Sequence, residues 1–463
     1  MLDKKTYQNA LEKRKEMKKL VSSDPKLLDI HVYPETGWLN DPNGLCYFEG
    51  LYHLYFQYSP LDAKRKYIIW GHVTTPDFIN YKREEPFIFS DSKLDKNGAY
   101  SGSAFVKDGK INFFYTGNVK HQGDFDYIKE GRDHNTIKVV SDGYFYDEKI
   151  LVMDNDDYPP DMTRHIRDPK IYEKDGSYYM FLGARSLSDK GMVLIFKSED
   201  LEHFSYHIRI ETDYNFGYMW ECPDYFDLDG QGILICCPQG VVSEEYRYQN
   251  IYQAGYFPID LDLENKTYKL GDFVELDYGF DFYAPQTFEN PAGSRILIGW
   301  MGIPDADYEN PTDHDWQHAF TLPRVLSYEN GKLYQKPIQE YKKLRREELH
   351  LRIGGVHKGK VFEAVCDNIK GEFSIDIRSD VSLSYKEGIL TLDMGDSSFG
   401  RKTRKIKISK IDKLEIFSDK SSIEIFVNGG EKIMTTRVYS EKYAFSSNEL
   451  KFKIYPLKKI TFN

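Results

Sequence analysis

Trp38-Leu39-Asn40-Asp41-Pro42-Asn43-Gly44, with the turn Glu49-Gly50 that follows it, decides the fold, because the same arrangement recurs down the chain. A polar residue opens each block: Asp41, Ser101, Asp168, Glu221 and Asp281, at intervals of 60, 67, 53 and 60 residues. The glycines Gly50, Gly109, Gly176, Gly230 and Gly293 follow 9, 8, 8, 9 and 12 positions later. Most of them sit in acid-Gly pairs, such as Asp108-Gly109 and Asp175-Gly176, whose positive φ suits a two-residue hairpin turn. After each turn comes a run rich in Tyr, Phe, Ile, Leu and Met (52–57, 111–116, 178–182, 233–236, 296–300) that alternates too little to face water. Such runs read as strands buried on both faces. Five antiparallel units of similar length predict a five-bladed β-propeller, in which the first strand of every blade faces one axis. One polar side chain per blade is then expected to converge on a single funnel.

Two composition shifts divide the 463 residues. The blade pattern stops near Gln335-Lys336-Pro337, and 338–349 (IQEYKKLRREEL) reads as a charged amphipathic helix without Gly or Pro. Beyond Gly354-Gly355 the text alternates in short strands, such as Phe373-Ser374-Ile375-Asp376-Ile377, separated by turns at Lys386-Glu387-Gly388 and Asn428-Gly429-Gly430. That is the pattern of an antiparallel β-sandwich. The expected organisation is all-β: an N-terminal helical extension (1–28), the propeller (29–335), a linker helix (336–353) and the β-sandwich (354–463).

Charge and cysteine usage exclude several functions. A net charge of −11 argues against nucleic acid, which needs a concentrated basic face. No run of about 18 apolar residues exists to span a bilayer. Residues 1–20 mix Lys, Glu and single apolar positions, read as a short surface helix, and lack the apolar core of a secretory signal, so the expected location is the cytoplasm. Five cysteines without a CxxC pair point to a reducing compartment and no zinc.

Seven blocks in order, Trp38 to Gly44, Phe56-Gln57-Tyr58-Ser59-Pro60, Trp70-Gly71-His72, Ser101-Gly102-Ser103, Arg167-Asp168-Pro169, Trp220-Glu221-Cys222-Pro223 and Asp281-Phe282-Tyr283-Ala284-Pro285-Gln286, closely resemble glycoside hydrolase family 32. That family holds invertases, fructanases and bacterial sucrose-6-phosphate hydrolases, and the likeness runs from about 31 to 326. Cleavage of a fructosyl bond passes through an oxocarbenium-like state, which needs a carboxylate near the anomeric carbon and a protonated acid near the leaving oxygen. By motif match the resemblance makes Asp41 the nucleophile, Glu221 the general acid and base, and Asp168 a third carboxylate that holds fructosyl hydroxyls. It implies a β-fructofuranosidase that acts on a small-molecule sugar, sucrose 6-phosphate or sucrose, with retention of configuration and with neither cofactor nor metal. Fructan exo-hydrolases and fructosyltransferases share these acids, and a silent sugar-binding propeller is expected to have lost one.

Candidates for the sugar pocket are Asn40, Gln57, Trp70, Ser101, Arg167, Asp281, Tyr283 and Trp300. The turn around Asp41 and the charge of Arg167 beside Asp168 are expected to keep both acids ionised. Trp220 and Cys222 give Glu221 the apolar flanks that suit a proton-carrying acid. His72, Cys46 and Cys222 read as packing residues. Lys64-Arg65-Lys66, where many relatives carry an aromatic residue, places three cations at the funnel mouth as a candidate phosphate site, with Arg65 foremost because its planar fork suits phosphate oxygens.

Overall fold

The computed structural model describes residues 1–395 and 398–463. Five mainly antiparallel sheets follow one another in chain order around an axis, the second and third four-stranded and the first, fourth and fifth extended by short strands to six, five and five. The innermost strands are Gly37–Phe48, Ala99–Lys107, Met162–Lys174, Met219–Leu228 and Tyr283–Glu289. In four blades the first hairpin turns as the sequence predicts, with φ of 50° and 69° at Asp108-Gly109 and 52° and 80° at Asp175-Gly176. Blade five differs: its hairpin is a longer loop closed on Asn290, whose side-chain oxygen accepts the N–H of Ala292 and Ser294.

All five innermost strands break register within the motif blocks singled out in the sequence. The shifts fall between Leu39 and Pro42, Ala99 and Gly102, Glu221 and Asp224, and Tyr283 and Gln286, with the third blade's opposite Phe181 and Gly183. Four of these breaks carry a proline, Pro42, Pro169, Pro223 or Pro285. Proline cannot donate to the ladder, so a strand tolerates it at a bulge, and a bulge re-aims its neighbours' side chains. The residues just before three of the prolines, Asp168, Cys222 and Ala284, have φ of 65°, 50° and 45°. A non-glycine residue held there stores strain of about 1–3 kcal/mol, which persists where the surrounding structure over-determines it.

Two six-stranded sheets form the C-terminal sandwich, packed face to face on a core of Ile, Leu, Val and Phe. The helix expected over 338–349 is absent: Gln339–Leu344 forms a 3-10 turn and Leu349–Leu351 already belongs to a sandwich sheet. Tertiary contacts override helical propensity here. Tyr341 and Leu344, three apart, are buried, Arg345 forms an ion pair with Glu363, and the backbone N–H of Arg346 donates to Pro456. The N-terminal extension is two helices, Lys4–Asn9 and Leu11–Ser22, and it is docked on the protein through buried Leu2, Tyr7, Met17 and Val21. Thr461–Phe462 returns to pair in parallel with the outer strand of blade one at Asn80 and Tyr81.

Propeller and sandwich are joined by fully buried charges. Arg324 donates to Glu424 at 2.7 Å and to Asp277 at 3.2 Å, while His31 lies between Asp419 and Glu424 at 2.9 and 3.0 Å. Burial alone would push the His31 imidazole down, but its bonds to Asp419 and Glu424 hold it up. Removing one member of such a set strands an uncompensated charge, at a cost of about 3–5 kcal/mol.

Candidate active site

Asp41, half-buried on the bulge of blade one, is held from three sides. Its Oδ2 accepts Ser101 Oγ at 2.5 Å and Gln57 Nε2 at 3.2 Å, and its Oδ1 accepts Asn40 Nδ2 at 3.0 Å. Asn40 also donates to Gln57 Oε1 at 2.8 Å and accepts the Trp38 indole N–H at 2.9 Å. Every donor in this network finds an acceptor, so the carboxylate has one orientation. Burial pushes its carboxyl up, against the opposing pull of Arg65, Ser101 and Asn40, and the Glu221 charge adds to the rise. The expectation that the turn would favour its ionised form is therefore corrected: desolvation outweighs the donors.

Glu221 comes from the bulge of blade four. Its Oε1 accepts Arg167 Nη2 at 2.5 Å and Nε at 3.1 Å, and its Oε2 accepts the Tyr283 hydroxyl at 2.6 Å and Gln239 Nε2 at 2.8 Å. Arg167 thus spends its fork on Glu221 rather than on its neighbour Asp168. Asp168 accepts the backbone N–H of Cys222 at 2.9 Å, and its own N–H donates to Thr116 Oγ1 at 2.9 Å. Burial raises its carboxyl to about 7, with the charges of Glu221 and Asp41 adding to the effect and Arg167 opposing it. Both aspartates are thus harder to ionise than their sequence neighbours imply. Asp41 and Asp168 both feel the charge of Glu221, which adds to the effect of burial in resisting their ionisation.

This shift has a measurable sign. A carboxyl whose folded pKa of about 7 exceeds its ordinary 3.8 favours the folded state while protonated; that contribution is full below about pH 4 and lost as pH rises through about 7. Asp168→Asn keeps a neutral side chain at every pH. It is expected to raise Tm at pH 8, by up to about 4 kcal/mol of stability, and to leave it nearly unchanged at pH 4. Equal Tm changes at the two pH values would refute the assignment.

Asn40, Gln57, Ser101, Arg167 and Tyr283 are brought together as expected. Of the other three, Asp281 and Trp70 are not. Asp281 is fully buried and turned to the sandwich, where it accepts Arg401 Nη2 and Nε at 2.7 and 2.8 Å and the N–H of Arg437. It lies two residues before the strand, and the proline count gives Tyr283 as the residue of blade five equivalent to Glu221. Trp70 is fully buried against Tyr55, Phe113 and Tyr115 and donates to the Tyr100 carbonyl, so it fills the space between blades one and two. Trp300 is 1% exposed and packs behind half-buried Trp38, at 6.2 Å between rings, with His318 against both.

The three cations at 64–66 separate. Arg65, in a left-handed conformation with φ 58°, turns inward and donates to Gln57 Oε1 at 3.0 Å. Lys64 and Lys66 stay exposed, and Lys66 lies over the Tyr67 ring. Cys46 and His72 are packing groups, the latter stacked on Tyr55 at 4.0 Å, whereas Cys222 serves Asp168 through its backbone. Gln239, at the end of its strand between Pro238 and Gly240, was not singled out in the sequence, because Pro-Gln-Gly reads only as the end of a strand.

A cluster of three carboxylates, one donor-rich and one gripped by an arginine, at the axis of a five-bladed propeller defines a carboxylate-based glycoside hydrolase. Residues 31–337 match the N-terminal domain model of glycosyl hydrolases family 32, and 371–459 match its C-terminal domain model. The chain is 40% identical over 458 residues to the sucrose-6-phosphate hydrolase of Bacillus subtilis, covering 94% of both chains. It is similar to the solved sucrose-6-phosphate hydrolase of Lactobacillus gasseri (28% identity, TM-score 0.89, 97% of each chain). It also resembles a mutant Bombyx mori β-fructofuranosidase in complex with sucrose (26% identity, TM-score 0.86, 100% of each chain). The protein belongs to glycosyl hydrolases family 32.

Proposed function

We propose that the protein hydrolyses the β-fructofuranosyl bond of sucrose 6-phosphate, with sucrose as a poorer substrate, through a covalent fructosyl-enzyme intermediate. The observation that carries this is the asymmetry of the two half-buried carboxylates. Asp41 is fixed by Ser101, Gln57 and Asn40 as a nucleophile needs to be. Glu221 is held across both oxygens by Arg167, Tyr283 and Gln239, in the manner of a group that must exchange a proton without moving. In the first step Glu221 protonates the glycosidic oxygen while Asp41 bonds to the anomeric carbon and the glucosyl unit departs. In the second, Glu221 takes a proton from water, whose oxygen displaces Asp41. Asp168, on a strained bulge between them, suits hydroxyls of the fructosyl ring. The names of the relatives from Bacillus subtilis and Staphylococcus xylosus, 40% and 38% identical, support the phosphorylated substrate.

Two measurements test this reading. Purified protein is expected to show a higher kcat/KM for sucrose 6-phosphate than for sucrose or short inulins, by about 10-fold or more if one charge-assisted contact meets the phosphate. NMR of the first turnover is expected to show β-fructofuranose. Initial α-fructofuranose would mean inversion and remove Asp41 as nucleophile.

A further inference from the structure

Arg65 is turned towards Gln57 and Asp41, so the candidate phosphate site at 64–66 keeps only Lys64 and Lys66 exposed. A second group of cations lies behind Glu221. Arg132 Nη1 is 2.9 Å from His165 Nε2, and Arg167 Nη1 is 2.9 Å from His165 Nδ1, while Arg167 itself grips Glu221. Both arginines can only donate, and a neutral imidazole has only one acceptor nitrogen. One of the two contacts therefore sets N–H against N–H. A protonated imidazole would worsen the conflict, and His165 is pushed down to about 2 by burial and by Arg167 and Arg132.

Arg132 also lacks a counter-ion. It forms no ion pair among the described residues, and its buried Nε has no hydrogen-bond partner. The adjacent carboxylate, Asp133, is taken by His121 at 2.7 Å and Asn155 at 2.9 Å. Lys120 adds a third cation near it, so a local positive patch stands in a chain of net charge −11. A half-buried guanidinium with no carboxylate partner among the described residues, and with one donor facing another, has the chemistry to receive an anion.

We infer that Arg132 and His165 form the subsite for the phosphate of the leaving sugar, an inference that rests on the phosphorylated-substrate reading above. With His165 Nδ1 accepting from Arg167, its Nε2–H turns outward, and a phosphate seated there accepts from both Nε2–H and Arg132. The donor conflict disappears and Arg132 gains its counter-ion. The chain phosphate, Arg132, His165, Arg167, Glu221 then links recognition of the leaving group to the acid that expels it. His165 is a positioning residue in this chain as well as a ligand.

The test compares kcat/KM for sucrose 6-phosphate and sucrose, and inhibition by glucose 6-phosphate and by glucose, in wild type, Arg132→Gln and Arg132→Lys. Arg132→Gln is expected to collapse the sucrose 6-phosphate to sucrose ratio about 10- to 100-fold and to weaken glucose 6-phosphate inhibition alike. Arg132→Lys, which keeps the charge, is expected to restore part of the ratio. Added salt should erode the wild-type ratio. If wild type prefers sucrose 6-phosphate and Arg132→Gln keeps that preference at an unchanged Tm, the subsite is overturned and the substrate reading stands. If wild type has no preference, both fall.

Discussion

Asp41→Ala is expected to abolish turnover, by on the order of 10⁴-fold or more in kcat, while the protein remains folded. The loss is that large if the proposed intermediate forms on Asp41, at whose carboxylate Ser101, Gln57 and Asn40 all aim. Alanine leaves those three without their acceptor, which costs stability of about 1–3 kcal/mol. Asp41→Asn supplies the control, since its amide oxygen still accepts from Ser101 while it cannot form the ester. Circular dichroism and Tm near wild type, together with lost activity in both variants, are the expected outcome. Activity within about tenfold of wild type in Asp41→Asn would take the nucleophile's role away from this residue.

Glu221→Gln has the next largest effect, a fall of about 10²- to 10⁴-fold in kcat for sucrose 6-phosphate or sucrose. Glutamine preserves an acceptor for Arg167 and keeps the side chain's shape, so the change isolates the proton. A fructoside whose leaving group departs without protonation should lose far less in its first step. The fructosyl-enzyme should then accumulate, because water is no longer deprotonated, and a burst is expected before slow turnover. Equal losses on natural and activated substrates, with no burst, would show that Glu221 acts only as a structural partner of Arg167.

How much of this could be read from the sequence depends on the physics of each element. Local chemistry was legible: the acid-Gly pairs at 49–50, 108–109, 175–176 and 229–230 form the hairpin turns of four blades, and prolines inside β runs mark the bulges that carry Asp41, Asp168 and Glu221. Asp281 misled because its spacing from Glu221 matched the repeat, while the bulge in its blade is set by Pro285, which selects Tyr283 instead. Trp70 misled because an aromatic residue beside a conspicuous Gly-His pair looks the same whether it faces a sugar or fills the gap between two blades. The stretch 338–349 has helical composition, and only the sandwich surface on which Tyr341 and Leu344 pack turns it into a 3-10 segment. The pairing of Arg132 with His165 was out of reach for a further reason. They stand on different blades, and the missing counter-ion that gives the contact its meaning is a property of the assembled surroundings.

Arg401 reaches out of the sandwich to hold Asp281, two residues ahead of Tyr283, whose hydroxyl steadies Glu221. A module that supplies none of the three carboxylates is thereby exposed to the same selection as the groups that do. Drift at Arg401 would be felt as drift in the acid, so the two halves of this chain are bound to evolve as one heritable unit, and a sandwich borrowed from a distant relative would have to bring its own answer to Asp281.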